Sequence, residues 1–405
     1  MGNSTSTLMR WFYTVGPGLI TAAVVFGPSK LTITSKLGAL YGYDLLWIVT
    51  VAIFFMALFT AMSTRIGAQI DDSLLQTVKA KWGKPASVLV GVGVFLVAIS
   101  FQAGNSIGVG IALGELTGTS PKPWVMGCTA AGVTLLFFRQ FYSVLEKTMI
   151  ALILMMLFSF VTTFVLAKPD FGRIIKGFTV PELPQGSLGL VIAFIASCFS
   201  IVGALYQSYL IQERKRVNPA IAATKNDSLT GILLLGVMSA VVIICAAAVL
   251  NPQGLTVNSG SDMAKALEPI FGHNASTLFL IGLFGAAFSS LVGNSSVGGL
   301  LLSDALGFGS QMGSKPVRMM TALVMVFGAT IAIIFGKLPL ELIVFAQSVT
   351  IFVVPFIGIA IYLIGNDKSI MGEKANTLPV KIAGGAGLIL IITLALLNIN
   401  ELFLK

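Results

Sequence analysis

Eleven stretches of this chain lack Asp, Glu, Lys and Arg over lengths that cross, or nearly cross, a lipid bilayer. They are 11–29, 45–64, 85–114, 123–138, 148–167, 183–212, 228–261, 274–303, 319–336, 342–366 and 382–400. A helix needs about 20 apolar residues to traverse the hydrocarbon, so each stretch reads as one span. The first continues past Lys30 to about Leu40, and the stretch at 123–138 is the shortest. With 56% hydrophobic residues, 10% charged residues and a mean hydropathy of +0.94, a soluble protein is excluded. The expected architecture is an all-α polytopic membrane protein forming a single domain over 1–405, with the lipid bilayer as its surroundings.

The N-terminus does not read as a cleaved signal peptide. Arg10 precedes an apolar run, but Gly16-Pro17-Gly18 interrupts it and hydrophobicity continues to Leu40. Basic residues give the orientation. With the N-terminus inside, sixteen of the 25 Lys and Arg lie on the cytoplasmic side and seven outside, leaving Lys30 and Lys36 in span 1. The positive-inside rule therefore puts the N-terminus in the cytoplasm and the C-terminus outside, and the short loops suit a bacterial inner (plasma) membrane. The net charge of +9 is accounted for by these loops, with no nucleic-acid partner implied.

All 16 carboxylates fall in loops or at span edges. Cys128, Cys198 and Cys245 are far apart in apolar runs, with neither disulfide nor zinc spacing, and read as small buried residues. His273, the only histidine, sits in a loop-like stretch. No cofactor motif, phosphate loop, His-Glu metal motif or paired carboxylates occur, which argues against an enzyme.

Span 1 is broken in its middle, at Val24-Val25-Phe26-Gly27-Pro28-Ser29-Lys30. Proline lacks an N–H and clashes with the preceding turn, so the helix is interrupted at Gly27-Pro28. Open backbone at membrane depth survives only when packed in protein or lining a watery cavity. A lysine there costs about 2.5–3.5 kcal/mol on insertion scales and marks a functional site by default. Five spans later, Ser197-Cys198-Phe199-Ser200-Ile201-Val202-Gly203-Ala204 is a second weak point. Interrupted helices at matching positions of two halves point to an inverted-repeat transporter with its site at the midplane. The expected repeats run over about 11–168 and 186–366, with an eleventh span at about 380–400.

The chain resembles the NRAMP divalent-metal transporters, carried on a LeuT-type fold of eleven spans. The matching residues are Gly16-Pro17-Gly18, Gly38-Ala39-Leu40-Tyr41-Gly42-Tyr43 with Leu45-Leu46-Trp47, Gly108, Ile111-Ala112-Leu113, and Tyr209-Leu210-Ile211-Gln212 with Arg214. Gln347, Pro355-Phe356 and Met371-Gly372 complete the set. The resemblance implies a 5+5 inverted repeat with spans 1 and 6 discontinuous. It also implies a metal-binding Asp and Asn in span 1, a Met followed by Pro and His in span 6, and an acidic pair in span 3 tied to proton movement. This chain has Gly27 and Lys30 at the first pair, Ser200, Ile201 and Val202 at the second set, and Gln102 and Asn105 at the third.

Those replacements set the functional expectation. The second half-helix of span 1 starts near Ser29-Lys30 with free N–H groups and a partial positive charge, which suits an anion. Span 6 adds the Ser200 hydroxyl and the amides near Val202 and Gly203, and Gln347 offers a further polar group. The expectation is a small inorganic anion substrate, bicarbonate first, with chloride and nitrate as alternatives. It binds Gly27, Ser29, Lys30, Ser200, Val202, Gly203 and Gln347 without a metal. Gln102 and Asn105 mark the former proton path, and transport is uncoupled. The competing reading is an NRAMP-like Mn2+ or Mg2+ transporter with an altered site built on carbonyls and hydroxyls. A channel-like uniporter stands third. Lys36 is expected to snorkel from the end of span 1.

Overall fold

The computed structural model describes residues 26–137, 139–198, 201–217, 227–267, 272–311, 313–334 and 340–401. Among them the regular structure is entirely helical. In chain order the helices are α1 (Pro28–Tyr41), α2 (Trp47–Gln69), α3 (Leu74–Trp82), α4 (Lys84–Thr117), α5 (Pro121–Leu135) and α6 (Arg139–Leu166). They continue with α7 (Phe171–Thr179), α8 (Leu188–Cys198), α9 (Ile201–Val217), α10 (Asp227–Val249), α11 (Gly260–Ala264) and α12 (Ala275–Ala305). The last are α13 (Lys315–Ile334), α14 (Leu340–Thr350), α15 (Val354–Asn366), a single turn at Lys368–Met371, and α16 (Leu378–Ile399).

Eight described helical stretches are long and apolar enough to cross a membrane, and a ninth arises if Leu154–Leu166 and Phe171–Thr179, bent by 115°, count as one. Two of the eleven expected spans remain. Span 1 is described only from its break outward, as α1. Span 4 is the 15-residue α5, about 22 Å long at 1.5 Å per residue against a hydrocarbon core of about 30 Å.

Two sequence expectations change. The run 228–261 is not helical to its end: α10 stops at Val249, a short turn holds Asn251–Gln253, and Gly254 adopts a left-handed φ of 63°. Pro252 cannot continue the helix. Span 10, expected to be continuous, is divided into α14 and α15. Pro355 lacks an N–H and its ring crowds the Ile351 carbonyl four residues back. Here the chain closes three tight turns instead, with the amides of Ile351, Phe352 and Val353 donating to the carbonyls of Ser348, Val349 and Thr350 at 3.1–3.2 Å.

The core lies where α12 packs along α4, with α13 beside both, while α1 lies against α10 and α8, and α2 against α9. Small residues bring these helices close. A methyl group at Gly67 would lie 2.5 Å from the Ser208 carbonyl oxygen, and one at Gly282 would lie 2.7 Å from Met156 Cβ. In a bilayer, where lipid is as apolar as leucine, such close packing holds helices together.

Candidate functional site

Gly27 is the N-cap of α1 and Pro28 opens the helix. Proline fits there because its missing N–H is one that the first turn leaves unpaired in any case. The Gly27 carbonyl accepts from the amides of Lys30 (3.1 Å) and Leu31 (3.2 Å), which starts the helix. The whole turn is buried.

Its position is fixed by glycines on α4. A methyl group at Gly108 would sit 2.5 Å from Pro28 Cβ and 2.6 Å from its Cγ. One at Gly104 would sit 2.6 Å from Ser29 Oγ, and one at Gly27 would sit 2.8 Å from Ser290 Oγ and 3.4 Å from Asn105 Oδ1. Gly104 and Gly108 are four residues apart and so share a face. The break is thus set into a groove between α4 and α12. The signal was present in the sequence as a Gly-x-x-x-Gly spacing in a membrane helix.

Around this turn the polar chemistry is buried and largely unpaired. Lys30 is 3% exposed, and its Nζ has no hydrogen-bond partner among the described residues; neither has Ser29 Oγ. Gln347 on α14 is fully buried with both Oε1 and Nε2 unpaired. It lies one turn beyond Ile343, whose Cγ2 comes within 3.8 Å of a methyl group placed at Gly104, and it precedes the break of span 10. Asn105 donates weakly to Gln102 Oε1 across 3.5 Å, while Gln102 Nε2 is unpaired. Buried polar atoms are nearly always hydrogen-bonded, and each orphan costs about 1–3 kcal/mol. Several such atoms, on Ser29, Lys30 and Gln102, lie at or beside this interrupted helix, where a polar solute can meet them.

The expected residues do not all converge. Gly27, Asn105 and Ser290 meet, as do Ser29, Gly104 and Ile343. Val202 and Gly203 sit in the first turn of α9, which packs mainly on α2, whereas α8 is the half of span 6 that lies on α1. Ser200 lies outside the described residues. Lys36 does not snorkel. It is 9% exposed and its Nζ donates to Glu341 Oε1 at 2.6 Å, so α1 is tied to the first turn of α14. No group of three or more His, Cys, Asp and Glu with metal-ligand spacing occurs among the described residues.

A profile of the family described as natural resistance-associated macrophage protein-like matches residues 18–401. The chain belongs to this NRAMP family. It is 27% identical over 406 residues to a protein of Chromohalobacter salexigens named divalent metal cation transporter MntH, covering 97% of this chain and 92% of that one. A Klebsiella pneumoniae protein of the same name is 23% identical over 94% of this chain and 92% of its own length. The structure matches that of an Eremococcus coleocola manganese transporter with a TM-score of 0.78 at 19% identity, over 99% of this chain and 89% of that one. Further matches to the nucleobase-cation-symport transporter Mhp1 and to a sodium-coupled sialic acid symporter place the NRAMP chain in the LeuT-type inverted-repeat fold, as an integral membrane protein with eight or nine membrane-crossing stretches among the described residues.

These relatives overturn the expectation of a small inorganic anion such as bicarbonate, since the names they carry are those of divalent cation transporters. The physical reason is visible at the site. Gln347, Gln102 and Asn105 are amides, each both donor and acceptor. A broken helix presents carbonyl ends as well as N–H ends. Reading only the donors, with Lys30, left out the acceptor oxygens that a cation would need.

Proposed function

We propose that the protein carries a divalent metal ion, Mn2+ or Mg2+, through an altered NRAMP site at the span 1 break. The observation that carries this reading is the set of buried neutral oxygens left unpaired there, Ser29 Oγ and Gln347 Oε1, in a chain whose relatives are named for divalent metals. Neutral oxygens suit hard cations and give no soft ligand. Mg2+ sheds water reluctantly and is commonly held through the waters it keeps. In this reading the ion stays partly hydrated, and its waters donate to Ser29 and Gln347.

Lys30 sets the affinity. Two unit charges about 4 Å apart interact by about 4 kcal/mol at an effective dielectric near 20, and a dication doubles the repulsion. A retained water shell holds the ion farther from the ammonium, so binding is weak and release is easy. The N-terminus is cytoplasmic and the C-terminus outside, in a bacterial plasma membrane. The protein acts as a transporter without enzymatic activity. No proton relay of buried Asp, Glu or His is described at the break, and the flux is driven by the ion's own gradient.

The direct test is equilibrium binding of Mn2+ to the purified full-length protein, followed by loss of the free-ion electron paramagnetic resonance signal with Mg2+ as competitor. Saturable Mn2+ binding displaced by Mg2+, and weakened in Gln347→Leu, is expected. A folded protein that leaves the free Mn2+ signal unchanged refutes the proposal.

A further inference from the structure

We infer that the carboxylate of Asp304 is the cytoplasmic latch of the transport cycle. It joins the inner ends of spans 6 and 8 and the link between spans 2 and 3, and it releases when the site opens inward. The inference rests on the transporter reading and the orientation given above.

Asp304 is the penultimate residue of α12 and is 2% exposed. Its Oδ2 accepts from Ser73 Oγ at 2.5 Å and from the Tyr209 hydroxyl at 2.6 Å. Gln76 Nε2 donates to Oδ1 at 3.2 Å and to the Asp304 carbonyl at 3.0 Å. Tyr209 belongs to α9, Ser73 is the N-cap of α3, and Gln76 lies in the first turn of α3. One carboxylate therefore holds three segments of the fold. A second set of contacts supports it: Gln212 Nε2 donates to the carbonyl of Asp72 at 2.5 Å, and Lys215 pairs with Asp71 at 3.2 Å.

The chemistry suits a contact that opens and closes. A carboxylate taken out of water is costly unless it is fully hydrogen-bonded. Here the side-chain donors are hydroxyls and an amide rather than an ammonium or guanidinium. Charge-assisted bonds to neutral donors are strong while the site is dry. Water can replace each of them once α9 separates from α12, because no buried countercharge is left behind.

The test is labelling of a thiol behind the latch, which requires no substrate and so is independent of the metal reading. In a background with Cys128, Cys198 and Cys245 replaced by Ala, Leu205→Cys places a thiol one turn from Tyr209 on the same face of α9, at a fully buried position. A membrane-impermeant maleimide is applied to each face of membrane vesicles. With Asp304 intact, slow labelling is expected from both faces. In Asp304→Asn and in Tyr209→Phe, labelling from the cytoplasmic face should rise about tenfold, the population shift expected for losing one charge-assisted bond, with no change from the outer face. Unchanged labelling in folded Asp304→Asn, or an equal rise from both faces, overturns the inference. Should Asp304→Asn fail to fold, Tyr209→Phe and Gln76→Ala keep the carboxylate and decide alone, with unchanged labelling in both overturning it.

Discussion

Lys36 Nζ lies 2.6 Å from Glu341 Oε1, but the two partners are unequally buried: the lysine side chain is 11% exposed and the glutamate 61%. The pair joins α1 to α14 at the end of the molecule opposite Asp304. Its asymmetry predicts which partner is costly to lose. Glu341→Ala strands a buried ammonium and should destabilise the protein by roughly 1–3 kcal/mol. Lys36→Met leaves a carboxylate that water already reaches and should cost under about 1 kcal/mol. Thermal unfolding in detergent checks the order, and equal losses would contradict it.

The seat of the break makes a steric prediction. Gly108→Ala sets a methyl group against the rigid ring of Pro28 and should cost about 1–3 kcal/mol by overpacking. Gly104→Ala meets Ser29 Oγ, a hydroxyl free to rotate away, and should cost less. Gly127→Ala, inside a helix and with open space around it, is the control and should hold or slightly raise the melting temperature, since alanine is the better helix former.

Gln347 should separate stability from function. It is buried with both polar atoms unpaired. Gln347→Leu removes that penalty, so the melting temperature should hold or rise. If Gln347 Oε1 faces the transported ion's waters, uptake should fall about tenfold, the equivalent of one hydrogen bond. A fall in stability and transport together would make Gln347 a packing residue instead.

The fold was legible because its signals are local and repeated. Long uncharged runs place the spans, and Gly27-Pro28 marks where α1 begins. Pro355 carried the same kind of signal for span 10, but its apolar neighbours hid it. The break at Gly27-Pro28 was legible as a buried helix start, whereas the acceptor groups around it were not. Lys30 stands out in a list of charges, whereas it takes the fold to bring Asn105 Oδ1 beside Gly27 and to bury Gln347 without a partner. Asp304 looked like an ordinary edge carboxylate, because Ser73 and Tyr209 reach it from 231 and 95 residues away.

Divalent-metal flux into proteoliposomes tests the central claim most directly, with Mn2+ and Mg2+ each followed by an internal dye in the parent protein and in Lys30→Asn. The account predicts saturable uptake by the parent. In Lys30→Asn, KM should fall by about tenfold or more, because the repulsion between an ammonium and a dication is removed. Uptake no greater than that of protein-free liposomes, in parent and variant alike and with both correctly folded, would contradict it.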